Sequence, residues 1–155
     1  MPSNDSIQTW LDSLTDQQLF AVMLLAEARG EDTLGRQMVA AVVMNRIAVA
    51  KAHESQFGSK FWWGDDVRSV ILKPWQFSSF NETDPNRSKM PSFLQLPQWG
   101  EAMEIAASAI DGTLGDPSNG ADSYLNPAAV KIQPAWATPE RQTAQHLHHT
   151  FYRTR

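Results

Sequence analysis

The sequence predicts a mainly α (α+β) fold, a helical lobe followed by a small C-terminal β element. Three observations carry that reading. Residues 5–50 hold three apolar stretches at helical spacing, each with its own start or stop signal. A further stretch over Gln98 to Ile110 (Trp99, Met103, Ala106, Ala107, Ile110) closes on Asp111-Gly112. After Gly112 the helical period gives way to turn clusters and short runs of strand character.

The elements follow in order. Asp5-Ser6 opens an amphipathic helix with Ile7, Trp10, Leu11 and Leu14 on one face. Thr15-Asp16-Gln17-Gln18 reads as a capping box, with Leu14 and Leu19 placed as a hydrophobic staple. The helix it starts is expected to reach about Arg29 and stop at Gly30. A third helix starts at Asp32 or Thr33 and runs through Val39, Val42, Val43 and Ile47 to about Ala50. Its small residues Gly35, Ala40 and Ala41 favour close packing. Residues 51–64 read as a loop rich in aromatic rings, Phe57, Phe61, Trp62 and Trp63. Asp65 or Asp66 caps a short helix through Val67, Val70 and Ile71 that ends before Pro74. Residues 75–97 carry repeated turn signals and read as a long irregular, functional segment. Short strands are expected over Asp122–Asn126, near Trp136 and over Thr150–Arg153. The expected organisation is an amphipathic N-terminal extension, 1–14, and one domain, 15–155.

Composition excludes several classes. The 155 residues contain no cysteine, so a disulfide scaffold, a zinc ribbon and a thiol nucleophile are ruled out. The net charge is −4 and no block of like charge stands out, so neither nucleic acid nor an anionic membrane surface is an expected partner. No apolar run approaches the ~20 residues of a membrane span. Met1 to Ser6 has no basic region followed by an apolar one, so no secretory leader is expected. Six tryptophans and seven phenylalanines suit a core, and also a cleft that stacks on sugar faces.

One residue breaks the pattern. Between Leu19 and Ala28 only Glu27 is polar. At 100° per residue, Phe20, Met23 and Leu24 fall within roughly 60° of it, while Gln18 and Arg29 fall opposite. Glu27 therefore lies on the apolar stripe, in the last turn of a helix bound for the core. Burial raises a carboxyl pKa, and the negative end of the helix dipole acts the same way. Such an acid stays protonated near neutrality and suits general acid catalysis. The competing reading is a buried ion pair with Arg29, Arg36 or Arg46. Glu31 shares this face only if the helix survives Gly30; otherwise it is a solvated loop acid.

Ala26-Glu27-Ala28-Arg29-Gly30-Glu31, followed by Gly35 to Arg46, resembles the signature of the SleB-type cell-wall hydrolases. This family comprises catalytic domains of spore cortex-lytic enzymes and related phage and bacterial lysins. Val70-Ile71, Gln76-Phe77-Ser78, Trp99 to Gly112, Gly120 to Pro127, Trp136 and His149-Thr150-Phe151-Tyr152 resemble its later segments in order. The resemblance spans about residues 16–152. It implies a lysozyme-like fold with a small sheet beside the cleft, cleavage of the glycan strand of peptidoglycan, and Glu27 as the catalytic glutamate. It further implies lytic transglycosylase chemistry, which needs one acid; if Glu31 positions a water, plain muramidase hydrolysis results instead.

Gln76 and Ser78 are expected to hydrogen-bond sugar substituents and Phe77 to pack on a ring, unless that phenylalanine merely anchors its loop. Tyr124 and Asn126 share one face of an expected strand. Trp62, Trp63 and Trp75 are stacking candidates. His146 and His148, two apart on a strand, invite a metal reading that would make the protein a zinc amidase, but a third ligand is missing and no metal or cofactor is expected. The expected protein is a monomer made in the cytoplasm, a phage endolysin released to the wall through holin pores. A non-catalytic glycan-binding module and a virion-structural protein are the remaining alternatives.

Overall fold

A computed structural model describes residues 3–155. Met1 and Pro2, which belong to the leader reading and to the N-terminal extension, lie outside the described residues. The first helix, α1 (Asn4–Ser13), is capped by Ser3, whose hydroxyl accepts from the Ser6 amide. Ile7, Leu11 and Leu14 join the core of the main lobe. Helix α2 (Asp16–Ala28) starts on the expected capping box. The Thr15 hydroxyl accepts from the Gln18 amide at 3.1 Å, and the Gln18 side chain accepts from the Thr15 amide at 2.9 Å. Residues 19–25 of α2 are fully buried, so it is the central helix of the lobe, and α3, α4 and α5 pack around it.

Helix α3 (Thr33–Phe57) is longer than the sequence pattern suggested. It continues seven residues past Ala50, through what reads as the start of an aromatic loop. Lys51 to Gln56 are good helix formers, but most are exposed, so they leave no apolar stripe to detect. The true stop is Gly58, in the left-handed conformation at φ 70°. Helix α4 (Val67–Leu72) carries the expected Asp66 cap, and α5 (Trp99–Asp111) the expected Gly112 stop. The segment between them is less irregular than expected. It forms a 3-10 turn over Ser78–Phe80 and a nine-residue 3-10 helix over Arg87–Gln95, with Met90 and Phe93 facing the core.

The β element is a three-stranded antiparallel sheet in the order β1-β3-β2. Strand β1 is Ser123–Leu125, β2 is Gln142–His146 and β3 is His149–Tyr152. The expected strand near Trp136 does not form; that stretch is turns, and Trp136 packs edge-on against Tyr152. The strand that does form, β2, is polar and partly exposed at the sheet edge, so no alternation betrays it. A two-residue turn, Leu147-His148, joins β2 to β3, with Leu147 left-handed at φ 48°. His146 and His148 therefore do not share a strand. The central strand β3 is buried throughout, and Phe151 enters the helical core. Tyr124 lies opposite Phe151 in the register, on the same face, which aims β1 at the end of α2.

The cap at the start of the central helix gives a stability test. Thr15→Ala, which deletes one half of the capping box, is expected to lower the urea-unfolding free energy by about 1 kcal/mol with an unchanged slope.

Candidate active site

The site is built on the last turn of α2. Phe20, Met23 and Leu24, the wheel neighbours of Glu27, are all fully buried. Glu27 itself is half-buried, with its carboxyl at the floor of an open cavity of about 400 Å³. Each oxygen has one hydroxyl partner. Tyr124 donates from its phenol to Oε1 at 3.0 Å, and Ser79 donates to Oε2 at 2.5 Å. The Ser79 hydroxyl also lies 3.2 Å from the Ala26 carbonyl. A hydroxyl has one proton, so these two donations alternate. When Glu27 is ionised, Ser79 gives its proton to the carboxylate. When Glu27 is protonated, Ser79 can turn to the Ala26 carbonyl and accept. The site thus satisfies both states of the acid.

Burial pushes the Glu27 pKa above the ordinary carboxyl value; the Ser79 and Tyr124 hydrogen bonds and the Ser79 amide oppose it, and the charge of Asp84 adds to it. Burial also pushes the Tyr124 phenol far above its usual range, with the Glu27 charge acting the same way, so it remains a donor. No arginine pairs with Glu27 among the described residues. Arg36 is committed to Glu101 at 2.8 Å, Arg29 donates to Asn86 at 2.8 Å, and Arg46 donates to the Asp122 carbonyl at 2.7 Å.

The predicted binding residues gather around this floor, in different roles. Gln76, Phe77, Ser78, Tyr124 and Asn126 all line the Glu27 cavity. Phe77 is only 2% exposed, and the Arg46 guanidinium lies 4.8 Å from its ring centre, so it anchors its loop more than it offers a stacking face. Ser78 is exposed at the rim. Asn126 lies just beyond the end of β1 and turns the chain, accepting from the Ala128 amide at 3.0 Å. Ser79, which touches the acid, was not singled out in the sequence. Only the phase of the 3-10 turn separates it from Ser78, and no periodicity in residues 75–97 reveals that phase.

A second open cavity, about 490 Å³, adjoins the first and shares Arg46, Trp75, Gln76 and Tyr124 with it. Together they make a continuous groove past Glu27. Trp75 is 76% exposed and Trp62 48%, whereas Trp63 is buried. Trp75 stands at φ 67°, a left-handed conformation that is strained for a bulky side chain.

Glu31 is not the solvated loop acid. Helix α2 ends before it, and it turns inward, with its side chain 4% exposed. Gly35 admits it, since a Cβ there would stand 2.8 Å from the Glu31 Cβ. Its Oε1 lies 3.3 Å from His149 Nδ1 and 3.4 Å from His148 Nδ1, while Oε2 has no hydrogen-bond partner. His149 in turn packs on the Tyr124 ring at 4.9 Å between centres. His146 is drawn elsewhere, its Nε2 lying 2.7 Å from Asp32 Oδ1. His146 thus faces Asp32, while His148 and His149 face Glu31, with His149 Nδ1 making no hydrogen bond among the described residues. Among the described residues, no helix is long and apolar enough to cross a membrane.

The profile of the family described as Cell Wall Hydrolase matches residues 30–152. The chain belongs to this family, in its SleB type. Glu27 lies three residues before the matched range. Spore cortex-lytic enzymes of Oceanobacillus iheyensis and Halalkalibacterium halodurans are 30% and 27% identical over 87% and 85% of this chain. The chain spans only 41% and 34% of those relatives. The catalytic domain of the germination-specific lytic transglycosylase SleB from Bacillus anthracis has 26% identity and a TM-score of 0.64. That match covers 92% of this chain and 98% of the other.

The raised pKa makes a linkage prediction. At low pH Glu27 is protonated in both folded and unfolded chains, and glutamine mimics it. Between the ordinary carboxyl pKa and the raised folded one, the unfolded chain ionises while the native glutamate keeps its proton, so its contribution falls with pH and is gone above the folded pKa. Glu27→Gln is therefore expected to raise Tm at pH 7–8, with the gain vanishing below the ordinary carboxyl range. Each kcal/mol of relief corresponds to roughly 2–4 °C at this size.

Proposed function

We propose that this protein cleaves the glycan strand of peptidoglycan at the bond between N-acetylmuramic acid and N-acetylglucosamine, with Glu27 as acid and then base. The observation that carries the reading is the buried carboxyl of Glu27, opening into the groove with a hydroxyl partner on each oxygen. In the first step Glu27 gives its proton to the bridging oxygen. The bond from the muramic anomeric carbon breaks, and its electron pair goes to the leaving N-acetylglucosamine. In the second, the primary hydroxyl of the same muramic sugar attacks the anomeric carbon and gives its proton to the Glu27 carboxylate. An anhydromuramic end forms, the acid is restored and no water is consumed. The nucleophile is held in place by its own sugar, so a second carboxylate is not needed.

This transglycosylase outcome is favoured over hydrolysis by the position of Glu31. Its carboxyl is turned toward His148 and His149, and Glu31 is not among the residues that line the Glu27 cavity. The Bacillus anthracis domain of similar fold is itself described as a lytic transglycosylase. Glu31 then serves to hold His149 behind Tyr124. We propose residues 15–155 as the catalytic unit and 1–14 as an extension whose Ile7 and Leu11 complete the core. The substrate is wall glycan, met by a monomer. A phage lysin role, with release through holin pores, is proposed on the family resemblance alone.

Glu27→Gln is expected to reduce lysis of purified sacculi by about 10²–10⁴-fold. Mass spectrometry of the wild-type muropeptides should show anhydro ends; reducing ends would assign hydrolysis instead. Tyr124→Phe removes a hydrogen bond that lowers the Glu27 pKa. Activity requires the protonated acid and falls as pH rises through that pKa. The alkaline limb of the pH–rate profile should therefore move to higher pH, whatever happens to the maximal rate.

A further inference from the structure

We propose that the 490 Å³ cavity beside Glu27 is a carboxylate-reading subsite for the peptide stems of peptidoglycan, with Arg141 and Arg155 as its readers. The proposal rests on the glycan-cleaving function above and names the further part of the substrate that the groove selects.

Charge is the first argument. The chain as a whole carries −4, yet this cavity is lined by Arg46, Arg141 and Arg155 and by no aspartate or glutamate. N-acetylated sugars are neutral, so the glycan gives no reason for such a concentration. The free acids of peptidoglycan lie on its peptide stems, which hang from the muramic sugar, the one whose anomeric carbon reacts.

Construction is the second argument. Arg46 is a buried, fixed charge, with its Nε bound to the Asp122 carbonyl and its guanidinium 5.2 Å from the Trp63 ring centre. Arg155 is held from two sides. Its amide donates to Asp122 Oδ2 at 3.2 Å, beside the Thr154 amide at 2.9 Å. Its guanidinium lies 5.1 Å and 5.6 Å from the ring centres of Phe61 and Trp63. Contact with those two rings positions the guanidinium, whose N–H donors suit a planar carboxylate. Arg141 stands on the short 3-10 turn before β2. Glu140, next to it in the chain, feels its charge but is fully exposed and outside the cavity. Among the described residues neither Arg141 nor Arg155 has an acid within ion-pair distance. Trp62 and Trp136 supply apolar walls beside these charges, which lower the local dielectric and strengthen pairing with a carboxylate.

Reach is the third argument. The two cavities share Arg46, Trp75, Gln76 and Tyr124, so a sugar over Glu27 and a stem in the second cavity belong to one continuous ligand.

The test uses soluble, uncross-linked glycan strands that bear stems, compared with the same strands after chemical amidation of the stem carboxylates. The muramic lactyl group is already an amide in both, and neither carries wall phosphate polymers. Wild-type kcat/KM is expected to fall about 10- to 100-fold on amidation, mainly through KM. The double variant Arg141→Gln/Arg155→Gln should show that lower value on native strands and lose nothing more on amidation. A wild type indifferent to amidation, or a double variant as sensitive to it as the wild type, overturns the proposal. The wild-type comparison needs no variant, so a misfolded variant does not spare it. A wild type that cleaves neither strand overturns the glycan-cleaving function instead, which keeps the two failures apart.

Discussion

A carboxylic acid on the buried face of the central helix is the constraint around which this protein is arranged. An unpaired buried carboxylate is costly, and the usual relief is a cation at ion-pair distance. Here that relief is withheld. Arg36 and Arg29 are occupied by Glu101 and Asn86, and Arg46 is fastened to a backbone carbonyl. The acid is met by two neutral hydroxyls instead. A guanidinium in their place would pin the group as a carboxylate. Hydroxyls tolerate both protonation states, which is what the acid-then-base role proposed for Glu27 requires.

The sheet brings one phenol, that of Tyr124, onto the acid. Strand β1 has three residues and little independent stability. Its position is set by pairing with the buried β3, where Phe151 is locked into the helical core and His149 packs at a tilt against the Tyr124 ring. Burial holds the His149 pKa below its usual value, against the charge of Glu31 and with that of His148. A neutral imidazole keeps the surroundings of Tyr124 free of a second cation. Glu31 lies one residue further from the acid, 3.3 Å from the histidine that packs on the tyrosine.

What the sequence made legible follows from physics that is local. The capping box at Thr15 and the stop at Gly112 depend on residues three or four apart, and both form as read. The wheel position of Glu27 is equally local, because a continuous apolar stretch fixes which face is buried. The failures are of another kind. Helix α3 overruns because its last turns are held by propensity and a terminal glycine, without an apolar stripe. Strand β2 escapes notice because an edge strand with polar residues has no period to betray it. The partnership of Ser79 with Glu27 and the inward turn of Glu31 toward His149 depend on contacts across more than fifty residues. No window of sequence contains those facts. The family resemblance supplied the direction of the reading, and the geometry supplied the partners.

The same division governs the charge. Net charge is a property of composition, and at −4 it argues against any anionic ligand. Binding, however, responds to the field inside the groove, which is a property of the fold. Arg46 comes from the middle of α3, Arg141 from the turn before β2 and Arg155 from the end of the chain. Folding gathers these three into one wall, seats two of them on aromatic rings and keeps acidic side chains out of it. Low-dielectric walls focus such a field, so a few convergent charges outweigh a larger number spread over the surface. An acidic protein can in this way present a cationic groove. The conflict between an acidic composition and the anionic stem proposed for this cavity disappears once charge is counted cavity by cavity.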